Sequence, residues 1–282
     1  MPHYICVTCG VQFAATTTPP SECKICNDPR QYIGLSGQQW TTLEELQQSG
    51  KYKNTFTPDE RDDRIIAIRT EPQFAIGQRA AIIKTSKGLI MWDCITYIDQ
   101  ETIDYINRMG TLMAIIISHP HFYDCCVEWS KAFQDIPIYI SNFDREWVVR
   151  PDSRIKLWKG TDLDLLDGEV HVVAAGGHFD GSCILIWKRD RFPPIAFTAD
   201  TIMVVMDRNF VSFMWSYPNM IPLKPASLIE LWNRVRPHQF DELWGGFPSA
   251  NLREGARAKV FKSARRYLEQ EDHVLLAQQL QE

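Results

Sequence analysis

The chain has 282 residues, of which 45% are hydrophobic, and a formal net charge of -5. It can therefore bury one large core, or a large and a small one, and its acidic balance gives no reason to expect nucleic acid as a partner. No apolar run approaches the roughly 18–20 residues that span a bilayer, and the N-terminus lacks a signal-peptide pattern. We expect a soluble cytoplasmic protein without a membrane partner, whose cysteines are reduced.

Four of the eight cysteines lie near the N-terminus in two Cys-x-x-Cys pairs, Cys6 with Cys9 and Cys23 with Cys26. Each pair predicts a tight knuckle, and two facing knuckles form a tetrahedral thiolate site. The segment is too short for a core of its own, so the metal would supply its folding energy. We interpret it as a structural zinc ribbon, with iron as the alternative, because four thiolates suit both metals.

A polar connector with one short helix follows the ribbon. Thr42 and Glu45 have the spacing of a capping box, and Gly50 is a typical stop signal. From Arg64 onward, short β-branched runs alternate with helical patterns, which predicts a layered α/β fold. The run "GLIMWDCITYID" is predicted to be a strand. The predicted domains are a ribbon at 1–38, a connector at 39–62 and an α/β domain at 63–282.

Histidines and a carboxylate follow several of the predicted strands. In "IIISHPHFYDCC", His119 and His121 are two residues apart at a strand end, where alternate side chains point the same way. His178 lies in a glycine-rich loop after a later strand, and Asp200 ends the apolar run "PIAFTAD", an odd place for an unpaired charge. This donor set is typical of zinc, iron or manganese.

The order of these motifs resembles the metallo-β-lactamase superfamily over the stretch from Arg64 to the C-terminal helix. Four features follow the order of that family's motifs: Asp93 after "GLIMW", then "SHPH", "GGHFDGS" and "FTADTI". The resemblance implies an α/β fold, an αββα sandwich with the metal at one sheet edge, and hydrolysis by a metal-bound hydroxide. The N-terminal "CVTCG" and "PPSEC" resemble a rubredoxin-like ribbon.

The sequence departs from that family's pattern at its second metal site. Tyr123 and Asp124 stand where the family has an aspartate and a histidine, and Phe247 stands where it has its last histidine ligand. The resemblance then implies one active-site ion, zinc or alternatively iron or manganese. The ligands it implies are His119, His121, His178 and Asp200.

Three residues are candidates for catalytic work. Asp200, or Asp124, would orient the metal-bound water or take its proton, and Tyr123 would donate a hydrogen bond to a developing oxyanion. Packing is the alternative role for Tyr123, and N-capping of the following helix is the alternative for Asp124. Cys125 and Cys126 open that helix, and we favour inert buried thiols there.

The function predicted from these features is a mononuclear metallohydrolase acting on a small molecule of ester, thioester, lactone or amide type. Two alternatives stay open: a mononuclear iron oxygenase of persulfide-dioxygenase type, and a non-catalytic metal-binding protein with a decayed site. The aromatic and Met-rich segment 209–223 would wall a substrate pocket or pack on the core. A homo-oligomer is compatible with the sequence.

Overall fold

The computed structural model describes residues 1–248 and 250–282, and the chain divides into two compact units, Met1–Trp158 and Lys159–Glu282. Each unit combines a large β-sheet with helices, so the predicted α/β class is confirmed. No helix in the described part of the chain has both the length and the apolar character that a membrane crossing requires. The domain limits proposed from the sequence remain a prediction.

Unit 1 contains a two-stranded ribbon sheet and a seven-stranded sheet. Its strands are β1 (Tyr4–Cys6), β2 (Trp40–Thr42), β3 (Lys53–Pro58), β4 (Ile65–Glu71), β5 (Ala80–Lys84), β6 (Leu89–Trp92), β7 (Leu112–Ile116), β8 (Ile138–Ser141) and β9 (Ile155–Trp158). Its α-helices are α1 (Leu43–Gln48), α2 (Gln100–Met109) and α3 (Cys126–Ala132).

The large sheet of unit 1 has the strand order β3-β4-β5-β6-β7-β8-β9. Its first four strands pair antiparallel, and its last four pair parallel. The ends of β6 and β7 therefore meet at one edge of the sheet. Asp93 follows β6 directly, and Ser118 lies two residues beyond the end of β7, so the strand pairing places both at this edge.

Local sequence signals explain where several elements of unit 1 begin and end. Thr42 caps α1 in a reciprocal capping box with Glu45, as predicted. Asp99 caps α2, which stops at Gly110 with a φ of 149°. The strand predicted over "GLIMWDCITYID" is shorter than expected and ends at Trp92, because Asp93 adopts a φ of 62° and turns the chain out of the sheet.

Unit 2 contains a six-stranded sheet and two small two-stranded sheets. Its strands are β10 (Asp162–Leu165), β11 (Val170–Ala174), β12 (Cys183–Trp187), β13 (Ile195–Ala199), β14 (Met203–Val204), β15 (Val211–Ser212), β16 (Met214–Ser216), β17 (Ile221–Pro222), β18 (Glu242–Gly245) and β19 (Asn251–Leu252). Its helices are α4 (Pro225–Val235), α5 (Ala256–Gln270) and α6 (Val274–Gln279).

The sheet of unit 2 has the order β10-β11-β12-β13-β18-β19. Its core is a continuous apolar cluster to which α4 contributes Leu231 and Trp232, and α5 contributes Val260 and Leu268. Strands β11 and β13 both pair antiparallel with β12, so they run in the same direction. The loops after their ends, which carry His178 and Asp200, therefore lie at the same edge of this sheet.

Candidate metal centres

The four cysteines predicted as ligands lie together in unit 1. Their sulfurs are all within 4.8 Å of one another, with 3.6 Å between Cys6 and Cys26 and 3.7 Å between Cys9 and Cys23. A tetrahedral ion with metal–sulfur bonds of about 2.3 Å needs sulfur separations of about 3.8 Å, whereas a disulfide bond is about 2.05 Å long. The four thiols are buried, so both the donor set and its spacing fit a metal ion.

Each Cys-x-x-Cys knuckle closes with the same type of backbone hydrogen bond. The amide of Gly10 donates to the carbonyl of Cys6 at 2.8 Å, and the amide of Asn27 donates to the carbonyl of Cys23 at 2.9 Å. Gln38 joins the two knuckles, because its amide nitrogen donates to the Cys6 sulfur and its oxygen accepts from the Cys23 amide, both at 3.2 Å. A hydrogen bond to sulfur favours the thiolate form that a metal requires.

His119 and His121 are buried after strand β7, with 1% and 3% of their surface exposed. Their ring centroids are 5.1 Å apart, and their ligand nitrogens lie within 4.8 Å. The predicted cause of this proximity is wrong, because β7 ends at Ile116 and Pro120–Phe122 form a 3-10 turn rather than extended chain. The tight turn, and not strand alternation, brings the two imidazoles side by side.

Neighbouring side chains hold this histidine loop in place. The Ser118 hydroxyl lies 2.8 Å from Nδ1 of His119, and the Gln78 amide donates to the His121 carbonyl at 2.8 Å. Asp93, which is 1% exposed, accepts a 2.7 Å hydrogen bond from the Ser118 amide. The strand-end aspartate of the sequence motif therefore fixes the backbone that carries the histidines.

His178 and Asp200 come together within unit 2, where a ring nitrogen and a carboxylate oxygen lie within 4.8 Å. Nδ1 of His178 is 3.1 Å from the carbonyl oxygen of Met214. Because a carbonyl can only accept, Nδ1 carries the hydrogen and Nε2 carries the lone pair. Metal-bound imidazoles take this tautomer, with the second nitrogen donating to a carbonyl or carboxylate.

Tyr217 is a residue of this site that sequence reasoning did not single out. Its ring centroid is 5.8 Å from that of His178, and its hydroxyl donates to the backbone carbonyl of Asp200 at 3.0 Å. Burial, together with the charge of Asp200, raises the pKa of Tyr217 well above its ordinary value, so the hydroxyl stays a donor. The signal available in the sequence was the aromatic segment 209–223, which contains both Tyr217 and Met214.

Tyr123 and Asp124 both make hydrogen bonds to other residues of unit 1. The Tyr123 hydroxyl donates a long 3.3 Å hydrogen bond to the backbone carbonyl of Asp144. Asp124 does not cap α3, whose N-cap is Cys125, so the capping alternative is wrong. Its carboxyl instead accepts a 2.6 Å hydrogen bond from Thr96. The catalytic roles of Tyr123 and Asp124 stay predictions.

Cys125 and Cys126 are buried at the start of α3. Burial raises the pKa of Cys125 well above its ordinary value and that of Cys126 to about 12. Thiols with such pKa values are protonated at neutral pH and unreactive. The burial expected from the sequence is confirmed, and the inert role stays a prediction.

Comparisons with known proteins add one close relative and a set of structural neighbours. No family model matches the chain. A protein described as uncharacterized protein YmaE, from Bacillus subtilis (strain 168), is 46% identical over 269 residues, which cover 95% of this chain and 96% of the relative.

Among solved structures, the chain is similar to VMB-1, with a TM-score of 0.57 and 13% identity over 77% of this chain and 98% of that one. It is also similar to DIM-1 metallo-β-lactamase, with a TM-score of 0.55 and 12% identity over 81% of this chain and 99% of that one. At this level of identity the likeness concerns the fold alone. The predicted metallo-β-lactamase-like fold is confirmed.

Proposed function

The chain belongs to the same family as YmaE of Bacillus subtilis, and from its metallo-β-lactamase-like fold and its buried histidines we propose that it is a mononuclear metal-dependent hydrolase. Its substrate class would be a small ester, thioester, lactone or amide. Its proposed metal ligands are His119, His121, His178 and Asp200. The N-terminal cysteines would hold a second, structural ion.

The 3.1 Å contact between Nδ1 of His178 and the Met214 carbonyl is the observation that carries this proposal. The Nδ1–H of His178 donates to the Met214 carbonyl, which leaves the lone pair on the Nε2 side of the ring. A histidine that served only as core packing would have no need of a carboxylate within 4.8 Å, as Asp200 is. The buried pair His119 and His121, held by its own hydrogen bonds, supports the same conclusion from unit 1.

A single active-site ion is proposed because other residues stand at the positions that hold the family's second metal ion. Oδ1 of Asp124 is hydrogen-bonded to Thr96, Tyr123 offers a phenol instead of a carboxylate, and the Phe247 side chain has no ligand atom. One ion suffices for hydrolysis, since a bound divalent cation would lower the pKa of its water to about 7.

The protein's own groups would do the remaining work. Asp200 would orient the water and accept its proton, a contribution of about 10²–10⁴-fold for a positioned base. Tyr217 holds the Asp200 backbone in place through its hydroxyl. Tyr123 would redirect its long hydrogen bond from Asp144 toward the oxyanion that develops on the substrate carbonyl.

The proposal is tested by metal content and turnover in matched variants. The wild-type protein should hold two ions per chain after dialysis and hydrolyse a compound from a panel of esters, thioesters, lactones and amides, with or without oxygen. His178→Ala should lose one ion together with all hydrolysis. Asp200→Asn should retain part of that ion and lose about 10²-fold or more in turnover. His273→Ala, which removes an exposed histidine, is the control and should match the wild type.

Other results would contradict the hydrolase or the role proposed for Asp200. Iron-dependent oxygen consumption that disappears in His178→Ala would identify an oxygenase instead. Full loading with metal but no turnover on any member of the panel would point to a non-catalytic metal-binding protein. Turnover that is unchanged in Asp200→Asn would remove Asp200 from the mechanism.

A further inference from the structure

Unit 2 carries a second group of histidine and aspartate side chains, apart from the residues of the proposed hydrolytic site. We call it the β10–β11 cluster; it consists of Asp162, Asp164, His171 and His238. Asp164 on β10 pairs in register with His171 on β11. Asp162, two residues earlier on β10, projects from the same face of the sheet. His238 reaches the cluster from the segment after α4.

His171 is held between the two carboxylates. Its Nδ1 is 2.7 Å from Oδ1 of Asp164, and its Nε2 is 2.9 Å from Oδ1 of Asp162. Nε2 of His238 is 3.5 Å from the same Asp162 oxygen, and the two imidazole centroids are 4.6 Å apart. Three potential ligand atoms, one from each of Asp162, His171 and His238, therefore lie within 4.8 Å of one another.

We propose that the β10–β11 cluster is a binding site for a divalent cation of zinc type. Nε2 of His171, Nε2 of His238 and a carboxylate oxygen of Asp162 are the ligands, and water completes the coordination. Metal–nitrogen and metal–oxygen bonds of about 2.0–2.1 Å in a tetrahedron put ligand atoms about 3.3 Å apart. The separations of 2.9 and 3.5 Å fall on either side of this value.

Asp164 is the feature that separates this arrangement from a chance pair of histidines. It accepts from Nδ1 of His171, which fixes the ring and directs Nε2 toward Asp162. A carboxylate behind a ligating imidazole is the usual outer partner in zinc sites, where it sets the tautomer and strengthens the ligand. Asp164 is therefore a positioning residue, and not a ligand.

Charge and access also favour a cation. With neutral imidazoles, Asp162 and Asp164 contribute two negative charges, against one positive charge from the neighbouring Lys188. The Asp162 side chain is 46% exposed, while those of His171 and His238 are 14% and 22% exposed. An ion can therefore reach the carboxylate from solvent and meet two partly buried imidazoles beside it. Such an open site holds its ion more weakly than four buried thiolates do.

Calorimetric titration with Zn²⁺ tests the proposal. Wild-type protein that retains its tightly held ions after dialysis should bind one additional Zn²⁺. His238→Ala and Asp162→Asn should abolish that binding, and Asp164→Asn should weaken it by about 10–100-fold, the range for an outer-partner mutation. His273→Ala is the matched control and should bind as the wild type does. Circular dichroism checks that each variant is folded.

The alternative is that the cluster is only a hydrogen-bonded group, in which His171 donates to both aspartates. Two results would establish this and overturn the proposal. The wild type would take up no additional Zn²⁺ at millimolar concentration, or the folded His238→Ala and Asp162→Asn variants would take up as much as the control. Hydrolysis by the proposed active site is expected to be unchanged in all four variants, so failure here leaves the proposed function intact.

Discussion

Asp124 shows how one buried side chain constrains the N-terminal ribbon. Its carboxyl is 5% exposed and bonded to Thr96, whose hydroxyl also lies 3.2 Å from the Gly10 carbonyl. Gly10 has a φ of +85°, and a Cβ there would lie 2.4 Å from Oδ1 of Asp124. Glycine at this position therefore lets the first knuckle approach the carboxyl closely.

The pKa of Asp124 predicts how the stability of the protein depends on pH. Burial raises this pKa well above its ordinary value, the Thr96 hydrogen bond opposes the shift, and the charge of Asp93 adds to it. The native state then keeps a proton that the unfolded chain releases above a pKa of about 3.9. Stability from this group is complete at low pH and decreases as pH rises toward the folded-state pKa.

Asp124→Asn should remove this dependence, because an amide keeps the shape and never ionises. The free energy of unfolding of the variant, relative to that of the wild type, should therefore increase as pH rises from about 5 to about 8. Denaturant titrations of the metal-loaded proteins measure the difference. Asp63→Asn, which alters an exposed carboxyl, is the control. A difference that is constant with pH would show that Asp124 is ionised in the native state.

At the scale of elements, an ion pair fixes strand β18 within the sheet of unit 2. Arg189 and Glu242 are 2.7 Å apart, and their side chains are 0% and 1% exposed. Arg189 also donates to the carbonyl of Pro193 in the loop before β13. Glu242 pairs with Ile195 at the start of β13, so the ion pair holds the start of β18 against the loop that leads into β13.

Glu242→Gln should destabilise the protein strongly. It leaves the buried Arg189 charge without its counterion, a change that costs about 3–5 kcal/mol in comparable buried pairs. Denaturant unfolding measures the loss. Asp190→Asn breaks the neighbouring pair with Arg191, whose side chains are both 72% exposed, and should leave the free energy of unfolding near that of the wild type. Equal effects of the two substitutions would show that burial does not govern the strength of this pair.

At the scale of the whole molecule, the proposed ions have different tasks. The ribbon sheet is only two strands, β1 and β2, so its fold depends on the thiolate site. The proposed hydrolytic ion relies on histidines at the ends of much larger sheets. Loss of one ion therefore need not cause loss of the other.

Cys23→Ser tests whether the two ions are held independently. Removal of one thiolate should release the ribbon ion, while the proposed histidine site keeps its own. Elemental analysis should then find one tightly held ion per chain instead of two. Loss of both ions would contradict the independence of the ribbon and the predicted boundary after residue 38.

Sequence alone determined those features that depend on neighbours in the chain. The spacing within each Cys-x-x-Cys pair sets a knuckle, and Thr42 with Glu45 sets the start of α1, because each forms within a single turn of backbone. The buried run that became β7 was clear from its composition. The histidines and Asp200 were identified as a group through the order of motifs.

Tertiary structure decided the features that depend on strand pairing and burial. The sequence pattern did not predict β9 or β10. These strands form by pairing with β8 and β11, respectively. The β10–β11 cluster depends on that register and on the turn that brings His238 back after α4. Asp124 was recognised as a polar residue near a helix start, but only burial against Thr96 explains its contacts. Backbone geometry determines the contacts between residues of one turn. Sheet register and packing determine the contacts between residues that are far apart in the sequence.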